Sequence, residues 1–206
     1  MIKARNISKS YNEKTVLCDI SCTVDDGEFL LVTGASGSGK TTLLNILGCL
    51  EMPDKGAVSI DGQEKLKAKD KLMFHRHKAG FLFQNYALLE DKTAFDNLKI
   101  ALTYRNVLSK EKAIEDATKQ LGLTDDIVQK KVYQLSGGEQ QRLALARLIL
   151  KDPKYIFADE PTGNLDAHNR DVVFDILASL NKMGKTVVMV THDSELIARV
   201  DNVMAL

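Results

Sequence analysis

The chain lacks any surplus of charge. Among its 206 residues, 28 Lys and Arg face 28 Asp and Glu, for a formal net charge of +0. A balanced chain has no electrostatic drive towards nucleic acid or an anionic membrane surface, although a neutral total can hide local patches. Long apolar runs are lacking too. No stretch reaches the roughly 18 residues needed to span a bilayer, and the N-terminus has no signal-peptide apolar core. Cysteine is scarce and odd in number. Cys18, Cys22 and Cys49 stand outside any His or Cys cluster, which argues against a zinc site or disulfide framework and for reduced, buried thiols. No internal repeat, Pro-rich linker or low-complexity tract interrupts the chain. The length fits one compact α/β domain, or one domain with an inserted lobe, and is enough for a sizeable core. Any membrane role must then pass through another polypeptide.

Apolar runs at 29–32, 81–83, 155–158 and 187–190 do not alternate with polar residues. Continuous runs of this length suit strands covered on both faces, as in a parallel sheet flanked by helices. Each run is followed at once by Gly34, Gln84, Asp159-Glu160 or Thr191-His192. In open parallel sheets ligands collect beyond the carboxyl ends of the strands, so these clusters should converge on one crevice. Helical stripes are expected at Leu43, Leu44, Leu47 and Leu50, at Ala113, Ile114, Ala117 and Leu121 before Gly122, and at Val172, Val173, Ile176, Leu177 and Leu180 before Gly184. The stretch to about residue 28, with 57–61, reads as β structure, with turns at Asp25-Asp26-Gly27 and Asp61-Gly62. Residues 87–150 read as wholly helical, too long for a plain connection between strands, and so as an inserted lobe.

Gly34-Ala35-Ser36-Gly37-Ser38-Gly39-Lys40-Thr41 follows an apolar strand and opens an apolar-striped helix that continues through Thr42. That is the context of a phosphate-binding loop. Its glycines let backbone N–H groups turn inward, and the helix start adds partial positive charge. Lys40 would neutralise β- and γ-phosphates and the Thr41 hydroxyl would bind Mg²⁺. Asp159 and Glu160 fit a carboxylate that holds Mg²⁺ and one that polarises an attacking water, or else an acidic capping turn. Further on stands Leu135-Ser136-Gly137-Gly138-Glu139-Gln140-Gln141-Arg142. Ser136 and Glu139 alone make a capping box. Two consecutive glycines weaken a first turn and make better sense if something approaches the backbone closely, at a helix start suited to an anion. Such a site, about a hundred residues after the first, would meet the same phosphate only through a partner copy.

Together these motifs resemble the nucleotide-binding subunit of ATP-binding-cassette (ABC) transporters, along essentially the whole chain and in the family's order. The resemblance implies an α/β P-loop NTPase fold of ABC type: a mainly parallel sheet core with an N-terminal antiparallel β part and an inserted helical lobe. It implies a single nucleotide-binding domain over 1–206, with an ATP-binding core at about 1–86 and 151–206 and a helical lobe at about 87–150. It further implies that Tyr11 stacks on adenine, that Gln84 binds Mg²⁺ and water and links to the membrane subunit, that His192 contacts the γ-phosphate, and that Asp166 communicates across a dimer. Without it, Tyr11 reads as a packing residue and His192 as a structural histidine. The stretch from Asp159 through Pro161, Thr162, Gly163, Asn164 and Leu165 to Asp166, with Gly80-Phe81-Leu82-Phe83-Gln84, resembles the branch of lipoprotein-release, macrolide and peptide or bacteriocin exporters and the cell-division ATPase. Departures are Ala35 where many relatives have Pro, Thr41 where many have Ser, and an end at Asp201 to Leu206 where relatives usually continue with another strand and helix, with no regulatory C-terminal domain.

The implied function is a Mg²⁺-dependent ATP hydrolase. Two copies would close around two ATP molecules, each between Lys40 and Thr41 of one copy and Ser136, Gly137 and Gly138 of the other. A homodimer on the cytoplasmic face of the membrane would then drive a separate integral permease to export a peptide, bacteriocin or lipoprotein-like substrate. The alternative is a non-transporting mechanical ATPase that regulates a membrane partner. A soluble DNA-repair or ribosome-associated ATPase fits poorly, because the chain has one cassette, no long heptad insertion and no net positive charge. Permease contact is expected near residues 84–98, with Tyr86, Leu88 and Leu89 as candidate exposed apolar residues.

Overall fold

The computed structural model describes residues 1–64, 66–163 and 165–206. The first sixty residues give β1 (Ile2–Tyr11), β2 (Lys14–Val24), β3 (Phe29–Thr33), α1 (Lys40–Leu47) and β4 (Lys55–Ile60). Then come α2 (Ala68–His77) and β5 (Ala79–Leu82). The connection from β5 to β6 carries α3 (Ala94–Ala101), α4 (Lys110–Gln120), α5 (Asp125–Gln129), a single 3₁₀ turn and α6 (Gly137–Lys151). The chain finishes with β6 (Tyr155–Asp159), α7 (Ala167–Lys182), β7 (Thr186–Val190), α8 (Ser194–Ile197) and β8 (Asn202–Ala205).

Two sheets result. The antiparallel one has the order β2-β1-β4, and the five-stranded one has the order β5-β6-β7-β3-β8. Every pairing in the second is parallel, with Ala79 opposite Tyr155, Tyr155 opposite Thr186, and Phe29 opposite Val187. Its central strands β3, β6 and β7 are mostly apolar because both faces are covered. Leu30, Val32, Phe157, Val188 and Val190 enter one core with α1 and the antiparallel sheet. Leu82, Ile156, Ala158, Val187 and Met189 enter the other, with α3, α4, α6 and α7. The parallel register puts all the strands' carboxyl ends on one edge, which is what gathers the polar residues that follow them.

Several expectations shift. The second apolar run forms β5 at Ala79–Leu82, two residues earlier than its sequence suggests, because Ala79 and Gly80 are both buried, Gly80 against Pro153 and Leu148. Leu50 is not on the α1 stripe. Gly48 caps that helix, and Leu50 is exposed beyond it. Val172 is exposed on α7, while Val173, Leu177 and Leu180 carry its buried face. Only Cys49 is a buried thiol; Cys18 is exposed and Cys22 half-buried. The helix α2 and the edge strand β8 lie outside the sequence expectations.

Candidate active site

β3 delivers the chain into the turn that starts at Gly34, and α1 takes it up at Lys40. The turn needs its glycines. At Gly34 (φ 150°) an added Cβ would meet the Leu206 carbonyl oxygen at 2.6 Å, and at Gly39 (φ 98°) it would meet Val16 and Leu17 at 2.8 Å. Lys40 is buried, and its ammonium donates to the carbonyls of Gly34 (3.0 Å) and Ala35 (2.9 Å). A cation thus sits inside a ring of backbone, the arrangement that receives phosphate oxygens. Ala35, Ser36 and Gly37 close the ring, with Gly37 at φ 77°. The Ser38 hydroxyl is buried without a hydrogen-bond partner among the described residues, a donor that a phosphate oxygen would satisfy. The residues present therefore fit a polyphosphate.

The Thr41 hydroxyl donates to Asp159 Oδ1 at 3.0 Å, joining the start of α1 to the end of β6. Burial, with the neighbouring Glu160 charge adding to it, raises the Asp159 carboxyl above its ordinary value, against the pull of Thr41 and Lys40. A desolvated carboxylate paired with a hydroxyl is a hard oxygen donor set that suits Mg²⁺, which would relieve the raised carboxyl. Gln84 lines a cleft of ≈ 400 Å³ together with Phe83, Asn85 and Asp159.

Glu160 is held in a left-handed conformation (φ 41°) with its N–H donating to the Val190 carbonyl at 3.0 Å. β7 therefore fixes where β6 ends. His192, two residues past β7, places Nδ1 3.3 Å from Glu160 Oε1. A Cβ on Gly163 would sit 3.5 Å from both Gln84 Nε2 and Glu160 Oε2, so the amide and the carboxylate flank the same bare stretch of backbone. Lys40, Thr41, Asp159, Glu160, Gln84 and His192 are thus gathered at one strand edge. Thr42 follows Thr41 on α1, half-buried, and lies beside Tyr11. Tyr11, half open to solvent, donates its hydroxyl to Glu51, and that carboxylate, helped by burial, raises the phenol.

Ser136 does not join them. It caps α6 in a complete capping box: its Oγ accepts from Glu139 N–H at 3.4 Å, and its own N–H and hydroxyl donate to Glu139 Oε2 at 2.7 and 2.8 Å. Those contacts pull the Glu139 carboxyl below its ordinary value. Gly137 has nothing within 4 Å of an added Cβ, and Gly138 has only the Arg142 guanidinium at 3.5 Å. Local capping and an approachable backbone therefore coexist. Asp166 caps α7, accepting from Asn169 N–H and from the Asn169 side chain at 2.8 Å each. Asn164, in the quoted stretch, lies outside the described residues.

Sequence reasoning missed the residues that tie α6 to this edge. Buried Gln141 donates to the Pro161 carbonyl at 3.3 Å, and Arg147 donates to the carbonyls of Tyr86 and Ala87 at 2.6 Å each. Arg170 reaches Asp193 at 3.2 Å and also Glu195, bracing the segment just after His192. A Gln amid apolar helix positions was the one available signal. Of the expected permease contacts, Tyr86 and Leu88 are half-buried against the helical core and only Leu89 is exposed.

Residues 17–163 match the sequence model described as ABC transporter. The chain is 42% identical over 200 residues to the lipoprotein-releasing system ATP-binding protein LolD of Aquifex aeolicus, covering 95% of this chain and 89% of that protein. It is 41% identical over 214 residues to the macrolide export ATP-binding/permease protein MacB 1/2 of Paracoccus denitrificans, covering 100% of this chain but only 32% of that longer protein. The dimeric structure of MJ0796, a bacterial ABC transporter cassette, superposes with a TM-score of 0.91 at 36% identity, covering 100% of this chain and 94% of that one. A post-hydrolysis state of the same cassette bound to ADP and Pi superposes with a TM-score of 0.90, with the same identity and coverage.

Proposed function

The chain belongs to the ABC transporter family, and on that premise we propose that it works as a homodimer that drives a separate membrane permease. It has the fold of an ABC-type P-loop NTPase and is an ATP-binding, ATP-hydrolysing subunit of that family. No described helix is long and apolar enough to cross a membrane. In our reading the whole of 1–206 is one nucleotide-binding domain, with an ATP-binding core at about 1–86 and 151–206 and a helical lobe at about 87–150.

The geometry supports the following roles. Tyr11 offers a half-exposed ring to adenine. The backbone of residues 34–39 and the Lys40 ammonium hold the phosphates, and Thr42 extends that shell. Thr41, Asp159 and Gln84 hold Mg²⁺, which when bound supplies charge neutralisation at the phosphate oxygens. Glu160 orients the attacking water and accepts its proton, with the Gln84 amide across the same gap. His192, resting on Glu160, contacts the γ-phosphate.

One observation carries the dimer. Ser136, Gly137 and Gly138 form an approachable helix start that meets none of the other described site residues within its own chain. A second copy, with Asp166 near the junction, would bring that start onto the nucleotide held by Lys40 and Thr41. Closure would then move a permease that contacts residues 84–98 and the adjoining groove of ≈ 480 Å³ lined by Phe83, Ala87 and Tyr104. In our reading the chain then works on the cytoplasmic face of the membrane and powers export of a peptide, bacteriocin or lipoprotein-like substrate; in support, the LolD relative is named for a lipoprotein-releasing system and the MacB relative for macrolide export.

Glu160→Gln tests this reading. The variant should bind ATP, lose nearly all hydrolysis, and elute as a dimer in size-exclusion chromatography with Mg-ATP. A variant that stays monomeric at saturating nucleotide refutes the mechanism.

A further inference from the structure

Tyr11, the ring offered to adenine, stands at a strand end yet is held from several sides. It is the last residue of β1, and Asn12 and Glu13 turn the chain into β2 with left-handed backbones (φ 44° and 69°). A residue at a hairpin tip frays readily unless side chains anchor it. Here the anchor is the segment just past α1. Cys49 is left-handed (φ 58°) and folds the chain back, so that the N–H groups of Leu50 and Glu51 both donate to the Asn45 carbonyl of α1, at 2.8 and 3.2 Å. Glu51 is thereby fixed to the helix that begins with Lys40 and Thr41.

Contacts from this segment converge on the end of β1. The Tyr11 hydroxyl donates to Glu51 Oε1. The Lys9 ammonium lies 3.2 Å from that same oxygen, donates to the Met52 carbonyl at 2.9 Å, and sits over the Tyr11 ring, 5.4 Å from its centroid. Asp54 accepts from the Ser10 N–H at 2.8 Å and from Lys9 at 3.3 Å. Thr42, in the first turn of α1, lies beside the same tyrosine. Glu51 therefore holds the phenol by its rim while Lys9 backs the ring.

We propose that Glu51 is a positioning residue for nucleotide binding: through the Tyr11 hydroxyl it presets the ring on which the base stacks. This rests on the reading of Tyr11 as the adenine platform. The gain is preorganisation. An untethered tyrosine at a hairpin tip loses its side-chain and backbone freedom each time a nucleotide binds, and the tether removes that cost beforehand. Glu51 touches no part of the nucleotide in doing so. Because α1 starts at the phosphate loop and carries Glu51 just beyond its end, one rigid element sets the span between base and phosphates.

Titration calorimetry on the full chain with two probes, ATP and inorganic tripolyphosphate, each with Mg²⁺, separates the ring from the phosphate loop. Glu51→Ala should weaken ATP about fivefold, the order expected when one more side chain must be ordered on binding, and leave tripolyphosphate unchanged. Glu51→Gln keeps an acceptor for the phenol and should restore most of the ATP affinity. Tyr11→Phe, which keeps the ring and loses the hydroxyl, should cost as much as Glu51→Ala, and the double variant no more than either. Unaltered ATP affinity in Glu51→Ala, equal weakening of both probes, a Gln variant no better than Ala, or additive losses in the double variant each overturn the positioning role. Tyr11→Ala checks the premise. It should weaken ATP more than Glu51→Ala does and spare tripolyphosphate. If ATP binding survives Tyr11→Ala intact, the stacking reading itself falls; a loss there with none in Glu51→Ala sinks the positioning role alone.

Discussion

At the scale of single residues, the site depends on charges whose surroundings are already set. The Lys40 ammonium is held by two backbone carbonyls before any nucleotide arrives, so little side-chain entropy is left to lose on binding. Lys40→Ala removes both that brace and the phosphate contact we propose for it. With hydrogen bonds to charged groups worth about 1.5–3 kcal/mol, ATP affinity should fall roughly tenfold to a hundredfold by isothermal titration calorimetry. Unaltered affinity would take Lys40 out of the phosphate shell. The loop was legible in sequence because its spacing is fixed by local backbone. The Gln141 and Arg147 tethers were not, because each links α6 to a turn far away in the chain, and no local pattern marks which polar helix position faces inward.

At the scale of elements, the two sheets are joined by a polar clasp below the site. Asp61, just past β4, pairs with Lys78 at 2.6 Å and Lys154 at 2.7 Å, and the Tyr155 hydroxyl of β6 donates to it. Burial pushes the Asp61 carboxyl up, but Lys154, Lys78 and Tyr155 outweigh it and hold the carboxyl well below the usual carboxylate range. The folded chain therefore binds this proton less readily than the unfolded one. The clasp's stability is fully present above the ordinary carboxylate value and is lost as pH falls through the acid range below it. Asp61→Asn should lower stability near neutrality by roughly 1.5–3 kcal/mol and flatten the acid limb of urea-denaturation midpoints plotted against pH. A variant whose acid limb parallels wild type would place the acid sensitivity elsewhere. Of the strands near this clasp, β5 and β6 were legible as apolar runs and β4 as β structure at 57–61, whereas α2, with Phe74 as its one buried side chain, and β8, half-exposed at the sheet edge, offered no period to detect.

At the scale of the whole molecule, β3, β5, β6 and β7 end together, and that edge holds the phosphate loop, the carboxylate pair and His192, but not Ser136. Turnover per molecule should then rise with protein concentration and approach a plateau once dimers dominate. Steady-state ATPase measured across a hundredfold dilution checks this, and a rate per molecule that is flat throughout contradicts the shared site. The pairing of β3, β6 and β7 also leaves Glu160 in a backbone twist that suits asparagine or glycine, with its carboxylate beside that of Asp159. A sequence chosen for durability alone would put neither residue there. The bare protein consequently stops short of its own ceiling of heat resistance, and a worn-out, non-hydrolysing descendant would be expected to drift towards the tougher fold.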